Sequence, residues 1–173
     1  MPASAIQVRE ALASDLPTIN DIYNEYIIHT TITFDEEPWS LQQREQWFSQ
    51  YTHGPHTVLV AANEGLVVGF AYTSPFRYKS AFQRSAEVTI YTHKEAPKGL
   101  GTRLYRALIL AVEEHFHRLY AMITLPNEKS LALHAKFGFR AVGNLDDVGY
   151  KFGRYHSVAI YEKQMPDKFT KQT

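Results

Sequence analysis

The sequence predicts one domain of the α/β (or α+β) class, a mixed central sheet of about six to seven strands flanked by about four helices. Three observations predict it. Strand-like and helix-like segments follow one another in the order β-α-α-β-β-β-α-β-α-β-β, which layers helices on both faces of a mixed sheet. The turn Asn63-Glu64-Gly65 joins two strand-like runs as an antiparallel hairpin. A short, continuously apolar run at residues 119–124 is what a strand covered on both faces needs.

Each element has its own local reason. Ile6-Gln7-Val8-Arg9 alternates as a strand does. Ser14 or Asp15 then caps a helix that tolerates Pro17 in its first turn and carries Leu16, Ile19, Ile22, Tyr23, Tyr26 and Ile27 on one face. Ser40 with Gln43 is a capping box for a second helix bearing Leu41, Trp47 and Phe48. Between these helices runs Thr30-Thr31-Ile32-Thr33-Phe34-Asp35-Glu36-Glu37-Pro38, a loop rich in threonine and acid. Residues 57–62 and 66–73 form the hairpin, and residues 87–92 a third strand of that group. Lys98-Gly99-Leu100-Gly101 leads into a helix whose stripe is Leu104, Leu108, Ala111 and Val112. After the strand at 119–124, Asn127 opens a helix with Leu131, His134 and Phe137 on one side, closed by Gly138. Residues 140–142 and 158–162 supply two last strands.

Composition narrows the function classes. The chain has 173 residues, 18 Lys+Arg against 18 Asp+Glu, zero formal net charge and no cysteine. That length buries a core without staples, and residues 1–165 read as one domain followed by a polar tail at 166–173. Absence of cysteine removes disulfides, thiolate nucleophiles and cysteine-based metal sites. Balanced charge argues against a protein that grips nucleic acid or an anionic membrane, which needs a basic excess. No basic-then-apolar leader opens the chain and no apolar run nears the roughly 20 residues of a membrane span, so a cytoplasmic location is expected.

A strand, a short loop with Gly99-x-Gly101 and then a helix suit a phosphate, because bare backbone approaches closely and the helix amides attract an anion. A plain strand–helix turn accounts for the same residues. The loop meets neither the dinucleotide fingerprint nor the P-loop pattern. His115 with His117, and His53 with His56, lack the spacing and the third ligand of a metal site, so no metal is expected.

Several motifs fall in a fixed order: residues 87–91, the loop Lys98-Gly99-Leu100-Gly101, Leu125-Pro126-Asn127, and Leu133-His134-x-x-x-Gly138-Phe139. That order resembles a GNAT-type N-acetyltransferase. Asp21-Ile22-Tyr23-Asn24, Thr33-Phe34, Trp47 and Val148-Gly149-x-Lys151-Phe152-Gly153 extend the resemblance to the phosphinothricin and methionine-sulfoximine N-acetyltransferase subgroup, over residues 6–165. One departure stands out. The family's pyrophosphate loop is Gln/Arg-Gly-x-Gly-x-Gly/Ala, whereas here it is Ala96-Pro97-Lys98-Gly99-Leu100-Gly101, and Pro97 supplies no amide.

The resemblance implies a GNAT fold, acetyl-CoA as co-substrate, a homodimer, and transfer of acetyl to the α-amine of a small amino-acid-like acceptor such as methionine sulfoximine, methionine sulfone or phosphinothricin. It makes Glu87 the general base, since an ammonium must lose its proton before attacking. An acid paired with Arg77, Lys79 or Arg84 is the structural alternative. Ile90, Tyr91 and Thr92 would offer backbone groups to the coenzyme and the oxyanion, or simply pack as strand residues. Lys98, Gly99, Leu100, Gly101 and Thr102 would meet its phosphates. Asn127 would touch the coenzyme, cap its helix, or do both, and Lys136 aligns with a further coenzyme contact. His134 stands where relatives carry a tyrosine that protonates the leaving thiolate; a histidine satisfied in the core is the alternative. Arg77, Tyr78 and Lys79 match the acceptor-binding segment, where a guanidinium fits a carboxylate in bidentate fashion, or form a solvated loop. Val88 and Thr89 complete that side, with Thr31, Phe34 and Glu36 as a lid.

Two rivals remain at this level. The acidic run Asp35, Glu36 and Glu37 would suit a polyamine or aminoglycoside acceptor, and the altered Ala96-Pro97 loop would suit a non-catalytic acyl-CoA-binding module. Without cysteine no acetyl-cysteine intermediate can form, which favours direct attack by the amine in a ternary complex.

Overall fold

Local chemistry starts each helix, although not always as its sequence suggests. The computed structural model describes residues 6–166, so all but Pro166 of the expected polar tail lies outside the described residues. Strand β1 spans Gln7–Glu10 and helix α1 Leu16–His29. Asp15 does not cap α1 as a flanking residue. It is buried in a one-turn 3-10 helix, Ala13–Asp15, where its carboxylate takes the Leu12 amide at 2.8 Å and both Arg9 guanidinium nitrogens at 2.6 and 2.8 Å. Helix α2, Leu41–Phe48, does open on the expected box: Gln43 N donates to Ser40 Oγ, and Ser40 N to Gln43 Oε1.

The remaining elements are β2 (Val58–Asn63), β3 (Leu66–Pro75), β4 (Ser85–Thr92), α3 (Leu100–Val112), β5 (Arg118–Thr124), α4 (Glu128–Lys136), β6 (Arg140–Lys151) and β7 (Arg154–Gln164). The seven strands form one mixed sheet in the order β1-β2-β3-β4-β5-β7-β6. β4 and β5 pair in parallel, while β1–β2, β2–β3, β5–β7 and β6–β7 pair antiparallel.

By its contacts the chain divides into two compact units. The first comprises Met1–Glu25, Pro38–Thr73 and Thr89–Val112. Its core holds Ile19, Ile22, Val60, Phe70, Leu104 and Leu108, with α3 packed on β1 and β2. Here α2 departs from expectation. Leu41 is exposed, and the buried residue of the helix is Arg44, 2% exposed. Its guanidinium lies 4.7, 4.3 and 4.6 Å from the ring centres of Tyr23, Trp39 and Trp47, and its Nε donates to Asn20 Oδ1. Flat, weakly hydrated guanidinium is the one cation that stacks well on aromatic faces. On α3, Ala111 is exposed and the stripe runs through Leu100, Leu104, Tyr105, Leu108, Ile109 and Val112.

The second unit comprises Tyr26–Glu37, Ser74–Val88 and Glu113–Thr173. Within it β5 alternates instead of burying both faces: Leu119, Ala121 and Ile123 are buried, while Arg118, Tyr120 and Met122 are half-buried. β6 and β7 are much longer than the short runs expected. The reason is that β6, an edge strand, exposes almost every side chain and shifts register at 141/143 and 145/149, so it carries no apolar alternation to read.

Candidate active site

β4 carries the central residue. Glu87 is the third residue of that strand and stands opposite Tyr120 as the last pair of the β4–β5 ladder, Ser85↔Arg118 to Glu87↔Tyr120. Burial pushes its carboxyl above the usual range, and the Arg77 guanidinium pulls it part of the way back. A carboxylate so placed is a better proton acceptor than an exposed glutamate.

Alternation along β4 decides which neighbours share its face. Glu87 and Thr89 are half-buried, whereas Ala86 and Val88 are buried. Val88, 4% exposed, therefore puts its side chain into the core on the opposite face from Glu87, which corrects its place in the acceptor pocket. The pattern slips one position at Thr89–Ile90, as an irregular strand does, so Tyr91 is the next buried residue. Tyr91 packs its ring 5.1 Å from Tyr23 and 5.4 Å from Phe70. Ile90 and Thr92 are half-buried.

Arg77, Tyr78 and Lys79 are all exposed in the segment between β3 and β4, Tyr78 almost completely. Arg77 packs on its neighbour Phe76. Its guanidinium lies 4.4 Å over the Phe76 ring and donates to the Phe76 carbonyl at 2.7 Å. Phe76 stacks on Tyr120 at 4.1 Å between ring centres. Tyr120 is thus at once the strand neighbour of Glu87 and the platform under the arginine-bearing loop, a role that sequence reasoning missed. The one available signal was a tyrosine within a run taken as wholly apolar. β7 places Glu162 opposite Tyr120, and Arg118 and Arg140 both pair with Glu162.

In the first unit, Gly99 adopts φ +84°, a conformation that glycine takes without strain, immediately before α3. Lys98 and Gly99 are exposed and Gly101 and Thr102 half-exposed. The first-turn amides of a 13-residue helix, a glycine and a lysine fit a diphosphate by charge and donor set. Leu100 departs from the expectation. Its amide donates to the Pro97 carbonyl at 3.1 Å and its side chain is fully buried, so it holds the loop's shape.

Asn127 caps α4, its Oδ1 accepting from Ser130 N at 3.2 Å, so any ligand contact would come from the Nδ2 end. His134 is 3% exposed, with Nδ1 2.7 Å from the Ser130 carbonyl and its ring edge-on to Phe139. A carbonyl only accepts, so Nδ1 carries the proton. Burial holds the ring's pKa below the usual histidine value, which keeps Nε2 deprotonated near neutrality. That favours the core alternative over proton donation. Lys136 is exposed in the last turn of α4. Among the described residues no group of three His, Cys, Asp or Glu could hold a metal ion, and no helix is long and apolar enough to cross a membrane.

Comparison with known proteins shows the family. The acetyltransferase (GNAT) domain family matches residues 8–159. The phosphinothricin N-acetyltransferase of Streptomyces coelicolor is 43% identical over 171 residues, covering 95% of this chain and 100% of that protein. The L-methionine sulfoximine/L-methionine sulfone acetyltransferase of Pseudomonas paraeruginosa is 35% identical over 151 residues, 86% of this chain and 88% of its own. A phosphinothricin acetyltransferase from Sinorhizobium meliloti, solved in complex with acetyl-CoA, superposes with TM-score 0.91 at 32% identity, covering 97% of this chain and 93% of that one. Fold and these likenesses converge: the chain belongs to the GNAT acetyltransferase family.

Proposed function

We propose that the enzyme transfers acetyl from acetyl-CoA to the α-amino group of a small amino-acid-like acceptor of the methionine sulfoximine, methionine sulfone or phosphinothricin type, by direct attack in a ternary complex. The observation that carries the reading is the pairing of a half-buried Glu87, raised by burial, with the charge of Arg77. Acetyl-CoA supplies an acyl thioester open to nucleophilic attack. Glu87 removes one proton from the acceptor's ammonium, directly or through a water, and later returns it to solvent. The freed amine bonds to the thioester carbonyl carbon, the C–S bond breaks, and the departing coenzyme A thiolate takes up the second proton that the nitrogen sheds. Arg77, backed by Phe76 and Tyr120, takes the acceptor's carboxylate in bidentate geometry. Backbone groups of Ile90, Tyr91 and Thr92 line the acyl group, and Lys98, Gly99, Gly101 and Thr102 meet the diphosphate, with Asn127 and Lys136 as further contacts.

The acidic loop does not decide against a polycationic acceptor by itself, since Asp35, Glu36 and Glu37 outnumber the one ammonium of Lys151 on which Asp35 and Glu36 act. A free-thiol release assay across an amine panel tests the reading. Turnover of methionine sulfoximine or phosphinothricin is expected; turnover of polyamines alone overturns it.

The same reading includes a cytoplasmic homodimer. Exposed Leu145, Val148 and Tyr150 on the edge strand β6, with Phe152 and Tyr155 beside them, support it, because an apolar edge is a natural place for a second copy. Light scattering at working concentration checks it, and a monomer counts against it.

A further inference from the structure

Two stretches that the sequence sets apart, Thr33-Phe34 and Val148-Gly149-Tyr150-Lys151-Phe152-Gly153, meet within the second compact unit. Lys151, the last residue of β6, is 2% exposed, and its Nζ donates to the Thr33 carbonyl at 2.9 Å across 118 positions of chain. Asp35 and Glu36 add their charges, opposing the desolvation that pushes the Lys151 pKa down. His156 Nε2 donates to the Lys151 carbonyl at 3.0 Å, holding the hairpin end from which the lysine reaches. A second contact lies beside the first. Phe34 presses on the bare Cα of Gly149 so closely that a Cβ there would fall 2.3 Å from Cε2 and 2.4 Å from Cζ of the ring. Only glycine permits that approach.

A buried ammonium is costly to desolvate, and a plain structural position would be filled more cheaply by an apolar side chain. What the lysine does here is hold a main-chain carbonyl of the loop between α1 and α2, with the charges of Asp35 and Glu36 in the same loop acting on its ammonium. That loop belongs to the same compact unit as Arg77 and Glu87, while residues 98–102 belong to the other. We propose that Lys151 and Gly149 clamp the segment 33–36 in one conformation and thereby set which acceptor the enzyme takes, Lys151 being a positioning residue that touches neither reacting group. The proposal rests on the acceptor chemistry proposed above.

The test uses Lys151→Met and Gly149→Ala in the full chain. Amide hydrogen exchange on the resting protein should show residues 33–36 exchanging about tenfold faster in both variants with core strands unchanged. In kinetics, the acceptor KM should rise about tenfold while the acetyl-CoA KM stays within about twofold. Phe34→Ala should add little to Gly149→Ala, since both release the same ring. Unchanged exchange and unchanged acceptor KM in folded variants overturn the clamp. If Lys151→Met does not fold, Gly149→Ala, which keeps the ammonium, decides alone. Should the wild type turn over no amino-acid acceptor, the functional reading falls, and the exchange measurement still decides the clamp.

Discussion

Glu87 and Tyr120 face each other at the end of the β4–β5 ladder, and Glu162 faces Tyr120 from the other side. The phenol hydrogen-bonds to Glu162 and is held above the usual tyrosine pKa by burial and by that carboxylate, so it stays protonated. It therefore serves as a neutral spacer between two acids.

Glu87→Gln should lower kcat by about 10²–10⁴-fold, the usual worth of a positioned general base, with little change in acetyl-CoA KM. The same change should stabilise the fold at neutral pH. Glu87 has a raised folded pKa, so the folded protein holds the proton more tightly than the unfolded chain. The stability this adds is present at acid pH and lost as pH rises through the raised value. Thermal melts at about pH 7.5 and about pH 4 check this: glutamine should melt higher at the first and lose that advantage at the second.

Arg77→Gln should move the acidic limb of the kcat/KM profile to higher pH. The arginine's charge lowers the Glu87 pKa, so its removal raises it, and the base must be ionised to work. A limb that stays in place while acceptor KM rises would mean that Arg77 acts on the acceptor alone.

Arg44→Ala should cost about 2–4 kcal/mol, since it empties a filled core position and removes three aromatic–cation contacts. Arg44→Lys should rescue only part of this, because a compact, strongly hydrated ammonium cannot stack on all three rings. Urea unfolding of the three proteins measures the ranking.

Asp15→Ala should cost about 1–3 kcal/mol at neutral pH by removing the acceptor of Leu12 N–H and two of the hydrogen bonds of Arg9, which keeps its bond to the Glu10 carbonyl. The hydrogen bond from Arg9, more than any other influence, holds the Asp15 carboxyl below the usual aspartate value. Its stabilisation is therefore present above the unfolded pKa and lost as pH falls through the depressed folded one. The wild-type advantage should shrink across that acid window, and acid titration of both proteins by circular dichroism follows it.

Local features were readable from the chain because a few neighbouring residues carry them. The Ser40–Gln43 box, the turn Glu64-Gly65 with φ 52° and 83°, and the cap at Asn127 each depend on bonds or dihedrals within four residues. The ordered motifs that resemble the acetyltransferase family were readable for a related reason, since each is a short stretch with its own chemistry. Arg44 was not readable. A charged residue on a helix surface and one caged by Tyr23, Trp39 and Trp47 have the same neighbours in sequence, and only packing distinguishes them. Val88, Ala111 and the wholly apolar reading of β5 failed similarly, because apolar character does not say which face the core will cover.

By itself, then, the sequence determined the order of elements, the caps and turns, the mixed sheet and the family. Tertiary structure alone decided that Tyr120 stands between two acids, that Arg44 and not Leu41 is the buried residue of α2, and that Lys151 reaches Thr33. The physical reason is range. Capping and periodicity act over one helical turn, while desolvation and cross-strand register depend on residues that only folding brings together.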